Sequence, residues 1–247
     1  MSSPEARAGI RAAATALLVV CAAVGATGVD VGAFSQAQPG AALPSGWQPL
    51  VFPRVERHTA YRLVVDEGVT VIRAEADASA SGLIRRMEID VRRHPLLAWR
   101  WKIAGVVARA DATRKDGDDY AARIYVSFKY DPARVAWFDR AKYALMRLFY
   151  GEYLPHAAIS YVWDNRLAPG TVLENANTDR VRMIVVRSGD ADANRWVVEE
   201  RNVLEDYRLA FREDPPAVAG VAIMTDTDDT GGRAVAWYGD IVFRPLP

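Results

Sequence analysis

The chain has 247 residues, 51% of them hydrophobic, and its 31 Lys and Arg are matched by 31 Asp and Glu. That length and apolar content suit one domain with a sizeable core. The even charge balance excludes the phosphate-driven binding of a basic nucleic-acid protein.

In chain order, the first element is a leader. Arg7 and Arg11 precede AAATALLVVCAAVGATGV, and SQA at 35–37 has the small residues that signal peptidase needs, so residues 1–37 read as a signal peptide and the mature chain starts near Gln38. An uncleaved N-terminal membrane anchor is the alternative, although Gly25 and Gly28 break the apolar run. Either reading sends the protein out of the cytoplasm, to the periplasm or beyond. Cys21, the single cysteine, falls in this segment, which leaves the mature protein without a disulfide or a Cys-ligated metal. QPGAALPSG at 38–46 reads as a flexible linker, because Pro and Gly prevent regular structure.

From Trp47 to the end the dominant period is two. TAYRLVV (59–65), VTVIRAEA (69–76), IRRMEIDV (84–91), LAWRWKI (97–103), ARIYVSFKY (122–130), AISYVW (158–163), VRMIVVR (181–187), NRWVVEERNV (194–203), VAIMT (221–225) and AVAWYGDIVF (234–243) each alternate apolar with polar residues. Turn residues separate them, so residues 47–247 are expected to form a single, mainly β domain: an antiparallel, jelly-roll-like β-sandwich. In LAWRWKI, Leu97, Trp99, Trp101 and Ile103 share one face, which predicts core, while Arg100 and Lys102 share the other. One stretch departs from the rhythm. Val135, Phe138, Ala141, Leu145, Leu148 and Phe149 recur at three or four residues, predicting an inserted α-helix over 135–150 ended by Gly151. Its other face mixes Trp137, Tyr143, Met146 and Tyr150 with Arg140, Lys142 and Arg147, so it either covers a sheet or contacts a membrane or partner.

Two acidic turns draw the chemistry. KDGDDY holds Asp116, Asp118 and Asp119 before a strand, and MTDTDDTGG holds Asp226, Asp228 and Asp229 after one. Crowded carboxylates repel, and a hard cation such as Ca²⁺ relieves them by taking six to eight oxygens; Asp and Gly are equally good turn formers without one. Asp240, among apolar neighbours in the last strand, must be solvated, hydrogen-bonded or metal-bound. The expected cation set is therefore Asp226, Asp228, Asp229 and Asp240. Catalytic signatures are sparse: His58, His94 and His156 fit no metal spacing, and GxSxG and HExxH are absent. Glu199, Glu200, Glu205 and Asp206 supply carboxylates for a glycoside hydrolase or lyase, whose two acids must face each other across a sugar.

The succession PLLAWRWKI, DGDDYAARIYVSF, ISYVWDN, EERNVLEDYRLAF and IMTDTDDTGGRAVAWYGDIVF resembles the bacterial DUF3047 family of exported proteins of unknown function, over about Trp47 to Phe243. That resemblance implies no reaction. More weakly, the ending YGDIVF is similar to the last strand of galactose-binding-type carbohydrate-binding jelly rolls, where a terminal aspartate helps hold calcium; this is analogy at the level of fold. The expectation is thus an exported binding protein for a glycan or cell-envelope component, with a carboxylate-dependent hydrolase or lyase, and an envelope-structural protein docking through its aromatic helix, as alternatives. Aromatic faces pack on sugar C–H groups while polar neighbours satisfy hydroxyls. On that ground Tyr125, Tyr161 and Trp163, with Arg123, Asp164 and Asn165, are the expected ligand residues.

Overall fold

The computed structural model describes residues 28–40, 43–53, 55–129 and 157–247; the helix expected over 135–150 lies outside them. The alternating segments become strands that form two sheets. The first has six: β11 (Val197–Asn202), β6 (Leu96–Ile103), β13 (Arg233–Arg244), β4 (Val69–Asp77) and β3 (Ala60–Asp66) in that order, with β1 (Val29–Gly32) also on β13. The second runs β2 (Trp47–Leu50), β5 (Ala80–Ile89), β12 (Val218–Asp226), β7 (Tyr120–Phe128), β8 (Ala158–Asp164), β10 (Thr178–Ser188) and β9 (Val172–Asn175). Pairing is antiparallel except between β8 and β10. This is the expected sandwich. Local chemistry sets its corners: in the β3–β4 hairpin both Glu67 and Gly68 have positive φ, the two-residue turn that matches strand twist.

The core lies between the sheets. Trp99 and Trp101 of β6 meet Tyr161 and Trp163 of β8 across the gap, with ring centroids 5.4 and 5.8 Å apart, and all four rings are buried. The apolar face of LAWRWKI is therefore core, as its alternation predicts. Its cationic face is partly covered: Lys102 lies over the rings of Trp196 and Trp237 and gives its ammonium to Asp66 at the β3–β4 corner, while the half-buried Arg100 also lies over Trp196.

Two elements differ from expectation. The run VLEDYRLAF forms a helix, α1 (Val203–Phe211), started by Asn202, whose side chain accepts from the Glu205 N–H at 3.2 Å. Tyr207 of α1 is fully buried, 4.5 Å from the ring of Phe128. The second is at the N-terminus, where Val29–Gly32, inside the segment read as leader, pairs with residues 241–243 of β13 on the edge that β4 leaves free, and Val31 and Phe34 are fully buried. In the following stretch, expected as a linker, the Gly40 N–H donates to the Leu63 carbonyl. Among the described residues no helix is long and apolar enough to cross a membrane.

Candidate functional site

The two acidic turns, 107 residues apart at Asp119 and Asp226, come together because β7 and β12 are antiparallel neighbours with Tyr120 opposite Asp226. Strand pairing thus puts the start of one beside the end of the other. Asp119, fully buried, accepts the N–H groups of Asp229 at 3.2 Å and Thr230 at 2.7 Å, so one carboxylate organises the turn that follows β12. One oxygen each of Asp119, Asp228 and Asp229 lies within 4.8 Å of the others.

Arg123 is the cation at the centre. It is buried, donates to Asp226 through Nη2 and to Asp118 through Nη1 at 3.5 Å, and lies over the rings of Tyr120 and Tyr125 at 5.1 and 5.4 Å. Asn175 and Asn177 donate to the other oxygen of Asp118 at 2.7 and 3.0 Å. Burial pushes the Asp226 carboxyl well up, with Arg123 pulling it back and Asp118, Asp119 and Asp228 adding to the rise. Loss of water also raises Asp228 and, with Asp228 and Asp119 beside it, pushes Asp229 up to about 6. Burial holds the Tyr125 hydroxyl at about 12.

Beside this cluster opens a cleft of about 490 Å³, whose walls include Arg109, Asp111, Arg114, Arg166, Asp229 and Thr230. Arg166 pairs with Asp111 at 2.5 Å, and Arg114 takes both oxygens of Asp116 at 2.9 and 2.7 Å. The Arg166 bond, with help from Thr113, holds the Asp111 carboxyl well below the usual carboxylate range. The wall is built by close backbone approach: a Cβ on Gly117 would stand 2.9 Å from the Asp111 nitrogen, which donates to the Gly117 carbonyl.

The residues expected to bind a ligand do not share one open surface. Tyr161 and Trp163 are in the core; the Tyr161 hydroxyl donates to Asp206 at 2.8 Å, which also takes Arg201, and Trp163 Nε1 donates to the Gly189 carbonyl. Asp164 is buried and accepts the N–H groups of Arg166 and Leu167 at 2.7 and 2.6 Å. Asn165 donates to the carbonyls of Val107, Ala108 and Ala110, which pins the loop leading into the cleft. Arg123 is enclosed by its acids, and only Tyr125 is half-buried beside it. YVWDN therefore shapes the cleft from behind. In the expected cation set Asp240 is misplaced: it accepts the Ser35 N–H at 2.8 Å and hydroxyl at 2.5 Å, tying down the segment after β1, on the other sheet. Asp119 takes its place in the cluster. Of the carboxylates considered for catalysis, Glu199 on β11 accepts from Arg187 at 3.0 Å and Asp206 on α1 accepts from Tyr161 and Arg201; none of the four lines the cleft.

Among solved structures, the chain is similar to the K1 cleaved adhesin domain of Lys-gingipain from Porphyromonas gingivalis W83, at 9% identity over 90% of this chain and 99% of that one, TM-score 0.39. It is similar to the family 30 carbohydrate-binding module of the cellulosomal cellulase Cel9D-Cel44B of Clostridium thermocellum, at 11% identity over 88% and 98%, TM-score 0.39. The glycoside hydrolase domain of Endo-D from Streptococcus pneumoniae R6 is similar at 11% identity over 80% of this chain and 21% of that one, TM-score 0.32. No curated protein matches the sequence. The family model of DUF3047, a protein of unknown function, matches residues 45–242, and the chain belongs to that family.

Proposed function

We propose that this is an exported binding protein that holds a glycan or another hydroxyl-rich envelope component in the cleft, without transforming it. The observation that carries this reading is the pairing of Arg166 with Asp111 and of Arg114 with Asp116 along one wall. Such pairs set donors beside acceptors, the arrangement that vicinal hydroxyls satisfy in both directions. With three arginines and three aspartates among the lining residues, the wall has no net charge to favour a polyanion. Export rests on the Arg-flanked apolar leader, and the burial of Val31 and Phe34 supports a processed end before Val29. N-terminal sequencing of the exported protein tests this; a start at Gln38 would refute it.

The binding test is the full exported protein on a broad glycan array and on purified peptidoglycan and lipopolysaccharide, with calcium and with EDTA. Binding is expected, and Arg166→Ala with Arg114→Ala should weaken it at least about tenfold, the worth of one charged hydrogen bond. No binding to any of these, or binding untouched by the double variant, would sink the cleft as the site. Release of soluble sugar from a bound glycan would replace the non-catalytic reading with the hydrolase or lyase alternative.

A further inference from the structure

The outer face of the six-stranded sheet carries chemistry that neither the core nor the cleft uses. Directly opposite residues of paired strands point to the same side. The register therefore lines up Arg62 of β3, Arg73 of β4, Trp237 of β13 and Lys102 of β6, with Trp196, one residue before β11, next beyond Lys102. The Lys102 ammonium lies 4.7 Å from the centre of the Trp237 ring and 5.2 Å from that of Trp196, and the Arg73 guanidinium lies 5.7 Å from Trp237. Trp196 is fixed further by donating Nε1 to Asp66 at 2.7 Å. Both indoles are half-buried, which leaves part of each open to solvent. Beside this row Arg100 lies across Gly239, where a Cβ would collide with its side chain, and over Trp196 at 4.6 Å.

The same face is unevenly charged in a chain whose net charge is zero. Lys102 is met by Asp66 and Glu67, Arg73 by Glu75, and Arg57 and Arg233 together by Asp77. Arg62 and Arg100 have no acid: among the described residues neither side chain makes an ion pair or a hydrogen bond. Arg62 is exposed and Arg100 half-buried, so both guanidinium groups are open to an anion. On the next row a hollow of about 420 Å³ opens among His58, Ala60, Glu75, Asp77 and Val235. It continues the row, since Val235 and Glu75 stand opposite each other two residues from Trp237 and Arg73.

We propose that this face binds an acidic polysaccharide. An indole packs against the C–H groups of a sugar ring, and an arginine fork takes the anionic group at the edge of that ring. Two indoles and two unpaired arginines on one flat face suit successive units of an extended chain, and the hollow prolongs its path. A lipid surface fits less well, because interfacial side chains must project among the headgroups, whereas these indoles are held at the sheet by Lys102 and, for Trp196, by Asp66. None of these residues lines the cleft, so the site is separate from the one proposed above.

The test is affinity electrophoresis and calorimetry of the full exported protein with polygalacturonate, and with dextran sulfate to tell a carboxylate from a sulfate. Binding of either is expected at low salt, with neutral dextran at least about tenfold weaker and the affinity falling as added NaCl screens the arginines. Arg62→Gln with Arg100→Gln should weaken binding at least about tenfold, the worth of one charged hydrogen bond. Trp237→Leu should weaken it at least about threefold. Lys129→Gln, an exposed cation just beyond β7 and paired with Glu88, should leave the affinity unchanged. The far-UV spectrum should be the same throughout; if Trp237→Leu does not fold, the arginine variant decides alone. All these variants keep Arg114 and Arg166, so a loss of polyanion binding leaves the cleft reading standing, and the cleft can fail without touching this face. No retardation or heat with either polyanion, equal affinity for dextran, or an affinity untouched in the arginine variant would overturn the proposal. So would tighter binding to phosphatidylglycerol vesicles than to both polyanions.

Discussion

Arg123 is the residue on which the two acidic turns depend, and Arg123→Met tests that dependence. The guanidinium is 4% exposed, and Asp226, its partner, is 1% exposed. Methionine keeps much of the volume and the ring contacts to Tyr120 and Tyr125 but leaves two buried acids without their cation. Removing one member of a buried pair costs roughly 3–5 kcal/mol. For a domain of this size that is a fall in Tm of about 6–20 °C. The loss should depend on pH. Burial already raises the Asp226 carboxyl, and without Arg123 it rises further, so the folded state takes up a proton that the unfolded state does not hold. Folded-state proton uptake makes stability fall as pH rises, so the deficit against wild type should be largest at pH 8 and shrink toward pH 5. Urea unfolding at both pH values measures it, and adding Asp226→Asn should recover part of the loss at pH 8, since an amide carries no charge to strand. A loss under about 1 kcal/mol, well below the range for broken buried pairs, or a deficit equal at pH 5 and 8, would refute the reasoning.

Three other outcomes follow from the same contacts. Asp229 sits at about 6 when folded, above its unfolded value, so in EDTA its share of stability is present below about pH 4 and is lost as pH rises to about 6; Asp229→Asn should flatten urea midpoints between pH 4 and 7, by less than about 1 kcal/mol because the group is exposed. Asp240→Ala should release Ser35, cost about 1–2 kcal/mol and speed hydrogen exchange over residues 29–36 with the rest unchanged. Asn165→Ala takes the side-chain donor from three carbonyls of the 107–110 loop, of which only Val107 keeps another, the Ala110 N–H, so a loss of about 1–3 kcal/mol is expected by thermal unfolding, together with weaker binding in the cleft.

Much of the sandwich was legible before any coordinates. Alternation in LAWRWKI placed Trp99 and Trp101 inside, and strands at 59–65, 69–76 and 158–163 fall within a residue or two of β3, β4 and β8. What escaped were elements too short or too strongly overridden for periodicity to mark them. β1, β2 and β9 have four residues each, too few for alternation to stand out. In α1, the signal was present but local: Asn202 as cap and Glu205 and Asp206 in the first turn, immediately after a strand pattern. The SQA reading of the leader boundary rests on a local small-residue rule, which carries no information on the contact of Ser35 with Asp240, 205 residues away in sequence.

The candidate site divides along the same line. The sequence by itself determined that two acidic turns exist, that no thiol accompanies them, and that aromatic and apolar residues alternate in strands; these are properties of composition and of a period set by the backbone. Only the tertiary structure decided which acids meet. Asp119 joins Asp228 and Asp229, and Asp240 leaves for Ser35, because β7 and β12 are neighbours in one sheet while β13 belongs to the other. It also turned Tyr161, Trp163 and Asp164 inward and opened the cleft at Arg109, Arg114 and Arg166. A side chain's type fixes what it can bond, but strand order and register choose its partner, and both arise from burying the faces of two sheets at once.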